Sequence, residues 1–588
     1  MNYNLNIQTE EPAKKKSNLA TVKSLVAHMV EEKKILLAAS LAMIVSAALT
    51  LISPILIGYT VDHYVQTRQY HGILVFSGIL LVVYILTMIT GYVQSKLMGT
   101  VGQRMLFTLR NAVFTKLQEL PVDFFNQNRA GDLISRINND TDKINQFFSQ
   151  SLMQFLRFIL IMIGAGIFLV SINPELGVAS LLPAVAIWIF TKTISPWVKR
   201  KNALNLKSTG NLSSEIQESL NNFKVIVAFN RRDYFRERFN EANNENYQTA
   251  VSAGLANNLL MPVYSFFSNI GQLVVLTFGI YLIAVGSFSI GLLISFLAYI
   301  NSFYNPLRQL AALWANFQVA LAGWDRISQI LALKSNLETL PQPLAVTGEK
   351  PLLSFQNVSF SYPNGKEVLH NISFNLERGK TYAFVGPTGG GKTTTASLIA
   401  RLYDPSEGTV WLDGRDIRTY SPEDRVKKIG FILQEPFLFS GTVRDNMLYG
   451  NEEFRNCTDE ELNELLHSTG LEALLQRFDN GLDTKTDTIG EGISLGQKQL
   501  IAFMRAVLRK PDLLILDEAT ANIDTVTEQL LEEILQKLPE KTTKVIIAHR
   551  LNTIENADEI YFINSGEVLR AGSLSDAMNM LLHGKRES

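Results

Sequence analysis

Gly386-Pro-Thr-Gly-Gly-Gly-Lys392-Thr393 has the spacing G-x-x-x-x-G-K-[ST], in which a glycine-rich turn lets backbone amides approach phosphate oxygens. A strand-like run from Thr381 to Val385 precedes it, and a helix-like run from Thr394 to Leu402 follows. That strand–loop–helix order separates a phosphate site from a turn that merely carries a solvated lysine. Gly386, Pro387, Thr388, Gly389, Gly390 and Gly391 are expected to wrap the phosphates, with Thr394 just beyond them at the start of the helix. Lys392 would reach the β/γ oxygens, and the Thr393 hydroxyl suits a Mg²⁺ ligand. Leu513-Leu-Ile-Leu-Asp517-Glu518 is a buried-strand run ending in two carboxylates, where Mg²⁺ and an attacking water need them. The two stretches together predict binding and hydrolysis of ATP.

At 588 residues the chain should form more than one domain. A net charge of −1 and a charged fraction of only 19% argue against a nucleic-acid partner. The single cysteine, Cys457, excludes an internal disulfide and a Cys-rich metal site, and its polar surroundings read as a structural or incidental thiol. The first twenty residues are polar, with Lys14, Lys15 and Lys16, and the first apolar run is too long for a signal h-region. No cleavable leader is therefore expected.

Apolar residues are concentrated in the first half. Ile35 to Ile57 and Ile73 to Val93 carry no charge, and each exceeds the roughly 20 helical residues that cross a bilayer. Two more runs, Ser149–Ile172 and Leu176–Trp197, meet at the turn Asn173-Pro174-Glu175. The uncharged stretch Asn246–Leu307 is long enough for two crossings, with Gly286-Ser-Phe-Ser289 as the break. Six membrane helices follow from this count. Basic residues cluster before the first span and after the second and fourth, whereas the three opposite loops hold only Arg68. That asymmetry predicts a multi-pass plasma (inner) membrane protein, in contact with membrane lipid, with both termini and the nucleotide site cytoplasmic. Two cytoplasmic connections of roughly fifty residues are too long for plain loops, so the helices should continue beyond the membrane and turn back. The turns are expected near Asp123–Arg129 and Ala228–Arg231, where they suit docking on a partner domain. Arg157 lies toward the cytoplasmic end of its apolar run, where snorkelling is the preferred reading over a substrate contact. Met261, Phe266, Phe267, Phe296, Tyr299, Phe303 and Tyr304 make the last two spans aromatic, which fits an apolar cavity but is more commonly helix packing.

Beyond a linker rich in polar residues and proline the composition becomes that of a soluble α/β domain. Tyr362 in Phe360-Ser-Tyr-Pro, the phosphate loop, Gln434 in Leu433-Gln-Glu-Pro and Ile493-Ser-Leu-Gly-Gln497 occur in order. Asp517-Glu518, Ala519 to Asp524 and Ala548-His549-Arg complete the series. This set resembles the nucleotide-binding domain of ABC transporters. Pro121-Val-Asp-Phe-Phe with Gly131 to Arg136 and Asp140 is similar to the first intracellular loop of bacterial ABC exporters. The resemblance implies an all-α six-helix transmembrane domain followed by an α/β P-loop ATPase domain. Its expected boundaries are a polar tail at 1–20, the transmembrane domain at 21–334, a linker at 335–350 and the ATPase domain at 351–588. It further implies that Tyr362 stacks on adenine and that Asp517 holds Mg²⁺ together with Thr393 and Gln434. Glu518 would orient or deprotonate the attacking water with help from Gln434, and His549 would hold the γ-phosphate. Ser494, Gly496 and Gln497 would close over the ATP of a second half-transporter subunit, because such domains pair head to tail.

The departures carry information. The family signature is Leu-Ser-Gly-Gly-Gln, yet Leu495 occupies its third position here, and the preceding segment Gly490-Glu-Gly-Ile is about three residues shorter. A complete set of hydrolytic residues beside an altered signature favours one member of a heterodimer, with a homodimer that tolerates Leu495 as the alternative. The resemblance implies export of hydrophobic small molecules, by analogy multidrug efflux. Lipid or peptide export, import on the same architecture and a non-pumping ATP-gated sensor remain alternatives. The six apolar spans argue against a soluble chromosome-type ATPase.

Overall fold

The computed structural model describes residues 3–5, 32–341, 350–363, 365, 367–486, 493–517, 524–547 and 555–583. Two compact units emerge. One is helical and comprises Gly131–Ala332 with Glu11–Gln118, while the other joins Leu333–Ser588 to Glu119–Ala130 and to the first residues of the chain.

Among the described residues, six helices are long and apolar enough to cross a membrane. They are α1 (Lys33–Val65), α2 (Tyr70–Gln118), α4 (Ala130–Ile172), α5 (Pro174–Asn221), α7 (Arg232–Ala284) and α8 (Ile290–Ala332). Two short helices, α3 (Val122–Gln127) and α6 (Phe223–Ala228), occupy the turns of the two long connections. Each boundary has a local cause. Asn173 caps α5 by accepting from the Leu176 amide at 2.9 Å, and Pro174 supplies a fixed φ at the first helical position. The break between α7 and α8 falls at Gly286, whose φ of 80° is a left-handed conformation that suits glycine.

Within the helical unit, Phe296 and Tyr299 are fully buried. The Tyr299 hydroxyl donates to the Leu51 carbonyl, and that of Tyr304 donates to the Ser180 carbonyl at 2.8 Å. These rings therefore tie helices together, whereas Met261 and Phe266 are exposed on the surface of this unit. Arg136 donates to the Arg326 carbonyl at 2.8 Å, and the Arg326 guanidinium pairs with the buried carboxylate of Asp140.

In the second unit a six-stranded sheet has the order β12-β11-β3-β10-β9-β6. Its strands are β3 (Thr381–Val385), β6 (Ile429–Ile432), β9 (Leu513–Asp517), β10 (Thr543–Ile547), β11 (Glu559–Asn564) and β12 (Glu567–Ala571). The pairs β10–β3, β10–β9, β11–β3 and β6–β9 are parallel, and only β12 runs antiparallel. Burial on both faces explains why Leu513-Leu-Ile-Leu is continuously apolar rather than alternating. A second sheet is antiparallel, in the order β2-β1-β4-β5, with β1 (Leu353–Ser361), β2 (Glu367–Leu376), β4 (Glu407–Leu412) and β5 (Arg415–Asp416), and β7 (Gly441–Thr442) pairs antiparallel with β8 (Lys485–Thr486). Phe355, Phe374 and Phe384 pack between the two larger sheets, Phe355 stacking on Phe374 at 4.5 Å. Cys457 is half-buried and packs against the other hydrophobic cluster of this unit, consistent with a structural thiol.

Candidate nucleotide site

In the parallel sheet the registers place four strand ends at one edge. Ile547 of β10 lies opposite both Phe384 of β3 and Asp517 of β9, and Leu516 lies opposite Ile432 of β6. The chain leaves this edge into the phosphate loop after β3 and into Gln434 after β6. It is also the edge from which Glu518 follows β9 and Ala548-His549 follows β10. Ligands of open α/β sheets bind outside these carboxyl ends. Glu518 and His549 themselves lie outside the described residues, as does the stretch from Ala519 to Ile523.

The phosphate loop runs from β3 into α9 (Lys392–Ile399) through a chain of conformations that glycine permits. At Gly386 φ is 151°, and an added Cβ would stand 1.9 Å from the Ile563 carbonyl oxygen of β11. Gly386→Ala is therefore expected to destabilise the protein by about 2 kcal/mol and to distort the loop. A lower midpoint of thermal unfolding and loss of photolabelling by an azido-ATP analogue would report both effects. An unchanged midpoint would show that the loop yields without cost.

Lys392 is buried, and its ammonium donates to the carbonyls of Gly386 at 2.8 Å and Pro387 at 3.0 Å. The ammonium thus spans the start of the loop. Thr393 Oγ1 lies 3.4 Å from a carboxylate oxygen of Asp517, which is itself buried at the end of β9. A hydroxyl beside a carboxylate is an oxygen donor set suited to a hard divalent cation, and a loop of open backbone amides with a lysine suits phosphates. The residues present therefore fit both groups. Gln434 is exposed two residues beyond β6.

Tyr362 ends the strand-side approach to the site, and its hydroxyl is 3.2 Å from Thr394 Oγ1. Its ring meets Tyr403 edge-on, with centroids 5.4 Å apart and planes at 88°. Burial pushes the Tyr403 phenol up from its ordinary pKa, and its oxygen accepts from the Asn126 side chain of α3 at 2.6 Å. Sequence reasoning does not single out Tyr403. It lies between the end of α9 and β4 with no motif around it, and only the fold puts it beside Tyr362.

Ser494, Gly496 and Gln497 form the start of α10 (Leu495–Val507). Ser494 Oγ accepts from the Gln497 amide at 3.2 Å, and Gln497 Oε1 accepts from the Ser494 amide at 2.9 Å, a reciprocal capping box. The serine hydroxyl accepts in this box and keeps its own proton to donate. Leu495 is the first helical residue and is 46% exposed, so it fills no part of the core. Asp524 caps α11 (Thr525–Lys537) in turn, accepting from the Thr527 amide at 3.0 Å and hydroxyl at 2.6 Å. The Thr527 hydroxyl and amide hold the Asp524 carboxyl below its ordinary range.

A parallel sheet carrying a phosphate loop and an acidic strand end at one edge defines a P-loop ATPase. The comparisons with known proteins specify it further. Residues 36–307 match the family described as ABC transporter transmembrane region, and residues 369–521 the family described as ABC transporter. The chain is 34% identical over 566 residues to the uncharacterized ABC transporter ATP-binding protein YfiC of Bacillus subtilis, covering 95% of this chain and 92% of the relative. It is 32% identical to a fatty acid ABC transporter ATP-binding/permease protein of Mycobacterium tuberculosis, over 85% of this chain and 78% of that one. A multidrug resistance ABC transporter ATP-binding and permease protein of Lactococcus lactis is 30% identical, over 84% and 83% of the two chains. The chain belongs to the ABC transporter family, as an ATP-hydrolysing half-transporter of the exporter type with membrane and ATPase regions fused. It is a multi-pass membrane protein, and two such units must assemble to make a transporter.

Proposed function

We propose that this chain is one subunit of a heterodimeric exporter that uses ATP to move hydrophobic or amphipathic small molecules out across the plasma membrane, with its ATPase unit in the cytoplasm. The observation that carries the heterodimer is the contrast inside one chain. Lys392, Thr393 and Asp517 converge at one sheet edge, while the helix start meant for a partner's nucleotide carries an exposed Leu495 in place of glycine. A leucine side chain there keeps the backbone away from a phosphate that glycine would let approach.

In this reading Gly386 to Gly391 and Lys392 hold the ATP phosphates, and Tyr362 stacks on the adenine. Thr393 and Asp517, with Gln434, hold Mg²⁺, which when bound screens the phosphate charge. Glu518 takes the proton of the attacking water, and His549 holds the γ-phosphate. The Ser494 hydroxyl, the Gly496 amide and Gln497 face the partner's nucleotide. The exposed apolar surface of α6, with Phe223 and Val225, and of Phe229 just beyond it suits the same partner. Multidrug efflux is favoured by the Lactococcus lactis relative, and the Mycobacterium tuberculosis relative supports lipid export as the second reading.

Purification of the tagged chain from its native membrane is expected to yield a second, different half-transporter in equal amount. In proteoliposomes that complex should accumulate a fluorescent amphipathic cation against its gradient when ATP is added. Accumulation of a labelled fatty acid instead would select the lipid reading, and ATP turnover without any flux would favour the sensor. In the same complex Leu495→Gly should change hydrolysis far less than Glu518→Gln. Equal collapse of turnover in both, or recovery of only one kind of chain, would replace the heterodimer by a homodimer.

A further inference from the structure

Tyr3 and Leu5 are 0% and 2% exposed, and they belong to the short alternating run Met1-Asn-Tyr3-Asn-Leu5-Asn-Ile7 at the start of an otherwise polar tail. Their backbone is held by two side-chain amides next to α3. The Tyr3 amide donates to Gln127 Oε1 at 2.8 Å and the Leu5 amide to Asn128 Oδ1 at 3.1 Å. Asn128 Nδ2 returns the bond to the Tyr3 carbonyl at 2.9 Å. Asn128 thereby offers the segment both an acceptor and a donor, and the side chains of Tyr3 and Leu5 are both buried in the fold. The Tyr3 ring meets the fully buried Phe124 of α3 edge-on, with centroids 6.3 Å apart. Its hydroxyl donates to the Lys334 carbonyl at 3.0 Å and accepts from the Asn336 amide at 2.9 Å. One tyrosine therefore ties α3 to residues 334–336.

The other side of α3 reaches the nucleotide site. Asn126 donates to Tyr403, and Tyr403 packs edge-on against Tyr362. Both ends of this chain of contacts lie within one compact unit. The ordering entropy of three residues is of the same order as the gain from burying two side chains, so the segment stands near balance between seated and released.

We propose that α3 and residues 334–336 form a peptide groove that residues 3–5 occupy as a releasable strap, and that Tyr3 is a positioning residue that sets ATP affinity through Phe124, Asn126 and Tyr403. Seated, the strap fixes α3 and with it the hydroxyl of the tyrosine next to Tyr362. Released, it lets α3 shift and loosens the ring pair beside the adenine position. The proposal rests on contacts within this unit and is independent of what the transporter carries.

The test compares the assembled wild-type transporter with Tyr3→Ala/Leu5→Ala and Tyr3→Phe variants by hydrogen exchange and ATP kinetics. In the double variant the amides of residues 122–128 and 333–337 should exchange about tenfold faster, with the rest of the ATPase unit unchanged. KM for ATP should rise about fivefold while kcat holds. Tyr3→Phe keeps the ring and loses the hydroxyl, so its faster exchange should be confined to 333–337. A synthetic peptide of residues 1–10, added at millimolar concentration to the double variant, should restore both protection and KM. Unchanged exchange in the two segments, faster exchange spread over the whole unit, a fall in kcat in place of the rise in KM, or no rescue by the peptide would each overturn the proposal.

Discussion

ATP turnover by the assembled transporter should fall by about 10²- to 10⁴-fold in Glu518→Gln, with nucleotide affinity retained, the range set by loss of a general base. Asp517 is the last residue of β9, is buried, and lies 3.4 Å from the Thr393 hydroxyl, and Glu518 is next to it in sequence. Glutamine matches glutamate in size and hydrogen-bonding reach but cannot take a proton from water. The effect should therefore appear in kcat and not in binding. Steady-state hydrolysis beside equilibrium binding of a fluorescent nucleotide measures the two separately. Turnover at the wild-type rate in a verified complex would remove Glu518 from the chemistry.

A loss of a different kind is expected from Lys392→Ala. The ammonium donates to two loop carbonyls and supplies positive charge at the phosphate position, and the side chain is only 5% exposed. Removing it leaves those carbonyls and the incoming phosphates without a charged donor, and charge-assisted hydrogen bonds contribute about 1.5–3 kcal/mol each. ATP affinity should drop by roughly 100-fold, since about 2.7 kcal/mol corresponds to that factor, and hydrolysis should reach background. Lys392→Arg should not restore it, because a planar guanidinium cannot fit the buried space of the ammonium. An unchanged unfolding midpoint would confirm that the loop persists, and retained affinity in the alanine variant would place the phosphates elsewhere.

The features legible in the sequence are those that local physics imposes. The phosphate loop is readable because its glycines answer a backbone requirement, and the apolar spans because a bilayer demands length without charge. The turn at Asn173-Pro174 is readable because capping chemistry acts within four residues. The strand order β3-β10-β9-β6 was not, since parallel neighbours such as β3 and β10 are separated by most of the domain and no local pattern encodes their pairing. The grouping of Glu119–Ala130 with the ATPase unit was also beyond reach. The sequence suggested only that a turn there suits docking. Tyr403 and Tyr3 were silent for a related reason. Each acts through partners far along the chain, and neither the motif-free surroundings of Tyr403 nor the short alternation around Tyr3 names those partners.

The ATPase unit is discontinuous, drawing α3 from a connection between membrane helices more than two hundred residues upstream. A fragment excised at residue 350 is consequently a different object from the domain in the intact chain. It lacks the amide that holds the Tyr403 phenol and the Glu338 carbonyl to which Arg401 donates. Nucleotide constants obtained on such a fragment describe a protein missing part of its own wall.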